Sequence, residues 1–262
     1  MKKKNLLTAL GMASVFAVSG AFIPGCTGHN FLGASVAEAG FGLGNIGDVV
    51  KGEAKKAVSK TFNVDLNGMQ DKRQDMLLNL YRAAVCYGHA SANVQQALGY
   101  GDGGAQARAA IKQAANNKTN LGSIKSVVEA SKVDDKLIAE AAKKLQDSGD
   151  AAKIQKANEL LQTAKTQRKA ANIYKVLAAR DAVSIVKDAG VAMAKGGDSI
   201  KDKINIINDL SAVAKNAESL TKVIGTQHKG MSNALKTYEK KQNIKDVSDA
   251  EAKKLAASWT EG

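Results

Sequence analysis

The stretch from Gly149 to Gln242 constrains the fold more than any other part of the chain. It contains no proline and divides into two long segments at Lys195–Asp198, where Gly196 and Gly197 stand together. A glycine can end a helix in the left-handed conformation, and an aspartate can cap the next helix by accepting backbone N–H bonds. We therefore expect Asp198 to cap the second helix. The pattern predicts an αα-hairpin, two long antiparallel helices joined by a short turn.

The second arm has the apolar spacing of an amphipathic helix, with a residue at every third or fourth position. These positions are Ile207, Leu210, Ala214, Ala217, Thr221, Ile224, His228, Met231, Leu235 and Tyr238. Gly225 and Gly230 fall within this arm, and a glycine inside a helix costs about 1 kcal/mol. We expect any kink or early end of the arm to lie between these two glycines.

The first arm has a similar seam, rich in alanine, and a second apolar stripe beside it. The seam is Ile154, Ala157, Leu161, Ala164, Arg168, Ala171, Lys175, Ala178, Ala182, Ile185, Ala189 and Ala192. The second stripe is Ile173, Val176, Leu177, Val183, Val186 and Val191. A helix that is apolar on two faces packs against more than one neighbour. The hairpin is therefore expected to form the spine of a bundle and to pack on the helix that contains Met76 and Leu80.

The composition favours helices throughout the remainder of the chain. Aromatic residues make up only 4% of it, and Pro24 is the single proline. Turn-rich β-folds use prolines in their turns, and these are missing here. We predict an all-α fold, an elongated helical bundle built on the long antiparallel hairpin. Further helices are expected at 48–62, 69–98, 105–115, 121–131 and 134–147, with a last one that begins at a Ser248–Glu251 capping box and runs to Trp259.

The first 47 residues have the features of an export signal followed by a tether. Residues 1–25 contain Lys2–Lys4 and then a mostly apolar run, as in a signal peptide. The sequence before Cys26 resembles a lipobox, which implies acylation of Cys26, although Pro24 departs from the usual residue. Ala37–Ala39 is an ordinary cleavage site, and Ser19–Ala21 is a weaker third site. The Gly-rich segment 26–47 is interpreted as a tether to an all-α domain at 48–262.

The net charge of +13 points to anionic partners or to a solubility role. Loss of residues 1–25 would remove three lysines and no acids and leave +10. The basic residues look dispersed and are not interleaved with aromatic residues, so nucleic-acid binding is not expected. An anionic envelope surface or lipid head groups are the expected partners, with a protein partner as the alternative.

Only a few residues could carry chemistry. Cys86 precedes His89 by three residues, which would place a thiol and a base on one helix face. We interpret Cys86 instead as a buried free thiol, unless it forms a disulfide with Cys26. His228 lies on the seam of the second arm, roughly opposite Lys165 and Arg168. These three are predicted to form a polar layer that sets the register of the hairpin, with simple exposure of His228 beside Gly225 and Gly230 as the alternative. No local metal or cofactor motif is present, so no metal, cofactor or catalytic residue is expected.

Together these features indicate a non-enzymatic structural or binding protein of the bacterial cell envelope, held near a membrane. The first alternative is a membrane-active all-α protein with the architecture of helical pore-forming toxins, although the sequence contains no evident apolar hairpin long enough to insert. The second alternative is an enzyme that uses Cys86 and His89.

Overall fold

A computed structural model gives the fold of the protein and describes residues 65–260. This part of the chain is all-α and contains no strand. The helices are α1 (Leu66–Leu98), α2 (Ala105–Ala114), α3 (Leu121–Ala130), α4 (Asp135–Asp147), α5 (Ala151–Lys195), α6 (Ile204–Lys241) and α7 (Asp249–Thr260). Short 3-10 turns occupy Ala115–Asn117 and Gly197–Lys203. The predicted export signal, the predicted tether at 26–47 and the predicted helix at 48–62 lie outside the described residues.

The hairpin α5–α6 is present and forms the spine of an elongated bundle. With 45 residues, α5 is about 67 Å long, and the 38 residues of α6 reach about 57 Å. Gly197 has a φ of +48°, so the predicted left-handed residue follows the end of α5. The predicted cap at Asp198 is wrong, because residues 197–203 form a 3-10 turn and α6 begins only at Ile204, without a side-chain cap.

The seam of α6 agrees with its predicted pattern. Every predicted position is buried except His228, which is half-buried. The helix is also continuous through Gly225 and Gly230, so it does not end there. Both glycines instead face polar side chains of neighbouring helices. A Cβ at position 230 would collide with the carboxylate of Asp135, and a Cβ at position 225 would lie 3.3 Å from Lys175 Nζ.

The seam of α5 is buried over most of its length, but the second stripe is not. Val176 is 46% exposed, and the other five stripe residues are half-buried. Thr166, Gln167 and Ala170 are buried in addition to the seam. The expectation that α5 has several neighbours is nevertheless correct, since it packs on α1, α6 and α7.

The predicted packing of the hairpin on the helix of Met76 and Leu80 is correct. That helix is α1, and it packs along α5 more extensively than α6 does. Polar contacts show that α1 and α5 are antiparallel: Lys72 Nζ lies 2.7 Å from Asp188 Oδ2, and Asn93 Nδ2 lies 2.9 Å from Gln167 Oε1. Between them, Met76, Leu80 and Tyr87 are fully buried.

The four shorter helices pack on this three-helix framework. The break between α1 and α2 ends at Gly104, where φ is +82° and a Cβ would collide with the backbone of Ala92. Only glycine fits such a position. The α7 helix begins at the predicted cap, because Ser248 Oγ accepts a bond of 3.1 Å from Glu251 N–H. The start of every short helix was predicted to within about one residue, as cap and turn residues allow.

Candidate functional site

The Cys86–His89 pair lies in α1, and its surroundings are those of a packed core. The Cys86 side chain is fully buried and its thiol is free. Burial raises the pKa of this thiol to about 12, an effect that the nearby Arg82 only partly offsets. Burial, and then the charge of Arg108, lower the pKa of His89. A nucleophile needs the thiolate form, which such a thiol does not adopt near neutral pH. The predicted alternative partner, Cys26, lies outside the described residues.

Two of the three residues of the predicted polar layer, Lys165 and Arg168, meet around one carboxylate. Arg168 is buried, forms an ion pair with Glu239 through Nη2, and donates from Nη1 to Ser232 Oγ at 2.9 Å. Lys165 Nζ lies 3.8 Å from Glu239 Oε2 and donates to the carbonyl of Ile244 at 2.9 Å. Glu239 is thus the centre of this layer. Sequence reasoning missed it, although it directly follows the seam residue Tyr238 in α6.

His228, the third predicted residue, lies near this layer without joining it. No hydrogen bond to protein is formed by its Nδ1, which is buried. The pKa of His228 is lowered to about 4, first by burial and then by the positive charges of Arg168 and Lys175. The imidazole is therefore neutral at physiological pH. It stands between two cations of α5 and acts as a neutral polar spacer in the hairpin.

Three polar side chains of α5 hold the connection between α6 and α7. Gln162 forms two bonds with the backbone of Lys245, donating to its carbonyl at 2.9 Å and accepting from its N–H at 2.8 Å. Lys165 donates to the carbonyl of Ile244. Lys169 lies 3.2 Å from Asp249 Oδ1 and donates to the carbonyl of Val247. These contacts order the C-terminal segment. Because Lys165 and Lys169 form these contacts within the fold, they are not suited to binding an outside ligand.

The exposed side of α6 carries a row of lysines that sequence reasoning treated as dispersed. Lys215, Lys222, Lys229 and Lys236 recur every seven residues, and all four are exposed. Seven residues are nearly two full turns, so such positions drift by only about 20° per repeat and form an almost straight line. The line is about 30 Å long at 1.5 Å per residue. The signal was present in the sequence as this period of seven.

The acidic residues of α6 itself leave this lysine row positive, although the carboxylate of Asp135 on α4 lies against Gly230, next to Lys229. From residue 219 to residue 241 the only acid is Glu239, which is buried and paired with Arg168. Lys222 does pair with Glu218, one turn earlier, at 2.8 Å. Lys240 and Lys241 add two exposed cations at the end of the helix. The lysine row, defined as Lys215, Lys222, Lys229 and Lys236, is the clearest candidate for a binding surface.

Two further properties of residues 65–260 bear on the site. No group of three or more His, Cys, Asp or Glu side chains in this part of the chain is arranged to hold a metal ion. None of the helices described there combines the length and the apolar character needed to cross a membrane.

Comparison of the chain with protein-family models, with curated proteins and with solved structures found no match.

Proposed function

We propose that this protein is a non-enzymatic, extracytoplasmic binding protein of the bacterial cell envelope. In this proposal the N-terminal segment tethers the protein at a membrane, and the helical domain binds an anionic surface. The lysine row on α6 is the observation that carries the proposal. The export signal at residues 1–25 supports the location, and acylation of Cys26 would supply the tether.

The physical basis for binding is a concentrated positive field along one helix. Four lysines in a line about 30 Å long, with a single exposed ion pair among them, attract a polyanion without needing a pocket. Each exposed contact is weak and is screened beyond roughly 10 Å at 0.1 M salt. A tether compensates for weak contacts because it raises the local concentration of the surface.

The core position of Cys86 supports a non-enzymatic role over the Cys86–His89 alternative. Its thiol is fully buried and has a pKa of about 12. An active-site cysteine needs an accessible thiolate instead. If Cys86 were catalytic, it would be alkylated quickly in the native protein; we expect alkylation only after unfolding.

Binding to an immobilised polyanion tests the proposal directly. In the test variant, the four lysines of the row are replaced by glutamine in the full chain. The control variant replaces Lys143, Lys144, Lys253 and Lys254, which are also exposed but lie on α4 and α7. Both variants lose the same charge. We expect the row variant to elute from a polyphosphate column at much lower salt than the parent, and the control variant to elute close to the parent.

Equal elution of the two variants would show that only net charge matters and that the row is not a binding surface. If neither variant changes the elution, the lysines serve solubility and a specific protein partner becomes the better hypothesis. The tether has its own test: the mass of the membrane-extracted protein should show acyl chains on an N-terminal Cys26. An unmodified N-terminus at Gly40 would contradict it.

A further inference from the structure

An apolar strip lies on the outside of the hairpin, next to the lysine row. Val176 is 46% exposed, and Val183, two turns further along α5, is half-buried. Lys175, the residue before Val176, lies against Gly225 of α6. Because successive residues of a helix turn by about 100°, Val176 and Val183 are placed just outside the line along which α5 meets α6.

The register of the hairpin places this strip between two sets of cations. Lys175 lies against Gly225, and Arg168 forms a hydrogen bond with Ser232. In this antiparallel register, Val176 lies opposite Ile224. Val183 lies opposite Ala217. The row residues Lys215, Lys222 and Lys229 therefore run along one side of the strip. On the other side, α5 exposes Arg180 and Lys187.

The acids near this face only partly offset its charge. Glu218 pairs with Lys222, and Asp181 lies 3.4 Å from Arg180. The Asp181 side chain is only 15% exposed, and it also accepts a bond from Asn79 of α1, so it lies on the α1 side of α5. At one end of the face, Lys169 lies seven residues before Val176 and pairs with Asp246 and Asp249, which offset its charge. Beyond that end, the face combines the exposed Val176 and the half-buried Val183 with an excess of positive charge.

We propose that the outer face of the α5–α6 hairpin lies flat on an anionic lipid bilayer, with Val176 and Val183 in the interface and the lysine row on the head groups. This inference rests on the proposed function and names its surface. A soluble polyanion would use only the charges, whereas surfaces that lie in a bilayer interface join an apolar strip to flanking cations. The long axis of the bundle is then parallel to the membrane plane.

A tryptophan placed in the strip reports this contact. Trp259 is the only tryptophan of the chain, so a Trp259→Phe background is silent. In that background we expect Val176→Trp to shift its emission to shorter wavelength, and to lose quenching by aqueous acrylamide, on vesicles with anionic lipid but not on neutral vesicles. The matched control is Leu137→Trp, at a site 50% exposed on α4. Its emission should stay unchanged on both kinds of vesicle.

A second pair of variants separates this inference from the proposed function. Replacing Val176 and Val183 by asparagine should lower the affinity for anionic vesicles about five- to tenfold, by removing apolar burial. Polyphosphate binding should stay unchanged. Asparagine at Leu137 and Leu255, which are also exposed, is the control and should alter neither.

Unchanged vesicle binding by the valine variant, or a Val176→Trp signal that does not move, would overturn the bilayer contact. If the row variant still loses polyanion binding in that case, the proposed function stands and its surface is a polymer. If the row variant also binds normally, both proposals fail.

Discussion

The two arms of the hairpin bury their apolar residues in different ways. In α6 the buried seam consists mostly of large apolar residues, although Ile204 and Ile206 in its first turn are exposed. In α5 the buried residues are mostly alanines, and larger valines such as Val176 are left partly exposed. The reason is the close packing of α5 on α1, its most extensive neighbour, because small alanine side chains let two helices approach closely. Hydrophobic size therefore predicts burial along α6 but not along α5.

The largest expected effect contrasts a seam residue and a stripe residue of α5. Ile185 is fully buried, whereas Leu177 is only half-buried. Ile185→Asp should unfold the domain, since an unpaired buried charge costs several kcal/mol. Leu177→Asp should cost no more than about 1 kcal/mol. Urea denaturation followed by circular dichroism measures both, and equal losses would mean that the two faces are not different.

The ion pair between the arms gives the next largest effect. Glu239→Gln leaves the guanidinium of Arg168 buried without its counter-charge and should cost about 3–5 kcal/mol. The double variant Arg168→Met/Glu239→Leu removes both charges and should recover much of that loss. If the double variant is as unstable as Glu239→Gln, the ion pair stabilises the fold by more than the neutralisation of each charge by the other.

A pH dependence of stability is expected from His228. Its folded pKa of about 4 lies below its ordinary value of 6.5, so the unfolded chain takes up a proton first as the pH falls. The free energy of unfolding should therefore be highest above pH 6.5 and should fall by about 2–3 kcal/mol between pH 6.5 and pH 4. The lowered pKa of His89 acts in the same direction. Urea midpoints at several pH values should show a weaker slope for His228→Gln. An unchanged slope would exclude His228 as the source.

The smallest effect compares the two glycines of α6. Gly225→Ala should stabilise the protein by about 0.5–1 kcal/mol, because alanine favours the helix and the end of Lys175 can move aside. Gly230→Ala should give little or no gain, since its Cβ displaces the carboxylate of Asp135. Thermal denaturation of the two variants gives the comparison. A larger gain at position 230 would contradict the close approach of α4 to α6.

Local patterns were sufficient to predict most of the fold. Glycines, caps and the three-to-four spacing placed the helices and the seam of α6, because each of these signals acts over a few residues. The cap at Asp198 failed because the turn continues as a 3-10 segment to Lys203. Glu239 could not be assigned to Arg168, since the two are 71 positions apart and only the register joins them. The lysine row could be recognised only once the exposed face of α6 was known, because a period of seven alone does not show which face the lysines occupy.

The central claim is that the lysine row is the contact with an anionic surface, and lysine footprinting measures this contact most directly. The full chain is briefly acetylated with and without anionic vesicles, and the modification of each lysine is read by mass spectrometry. The account predicts protection of all four lysines of the row, with exposed Lys143 and Lys253 on other helices modified as before. Protection of all lysines alike, or of none, would contradict it.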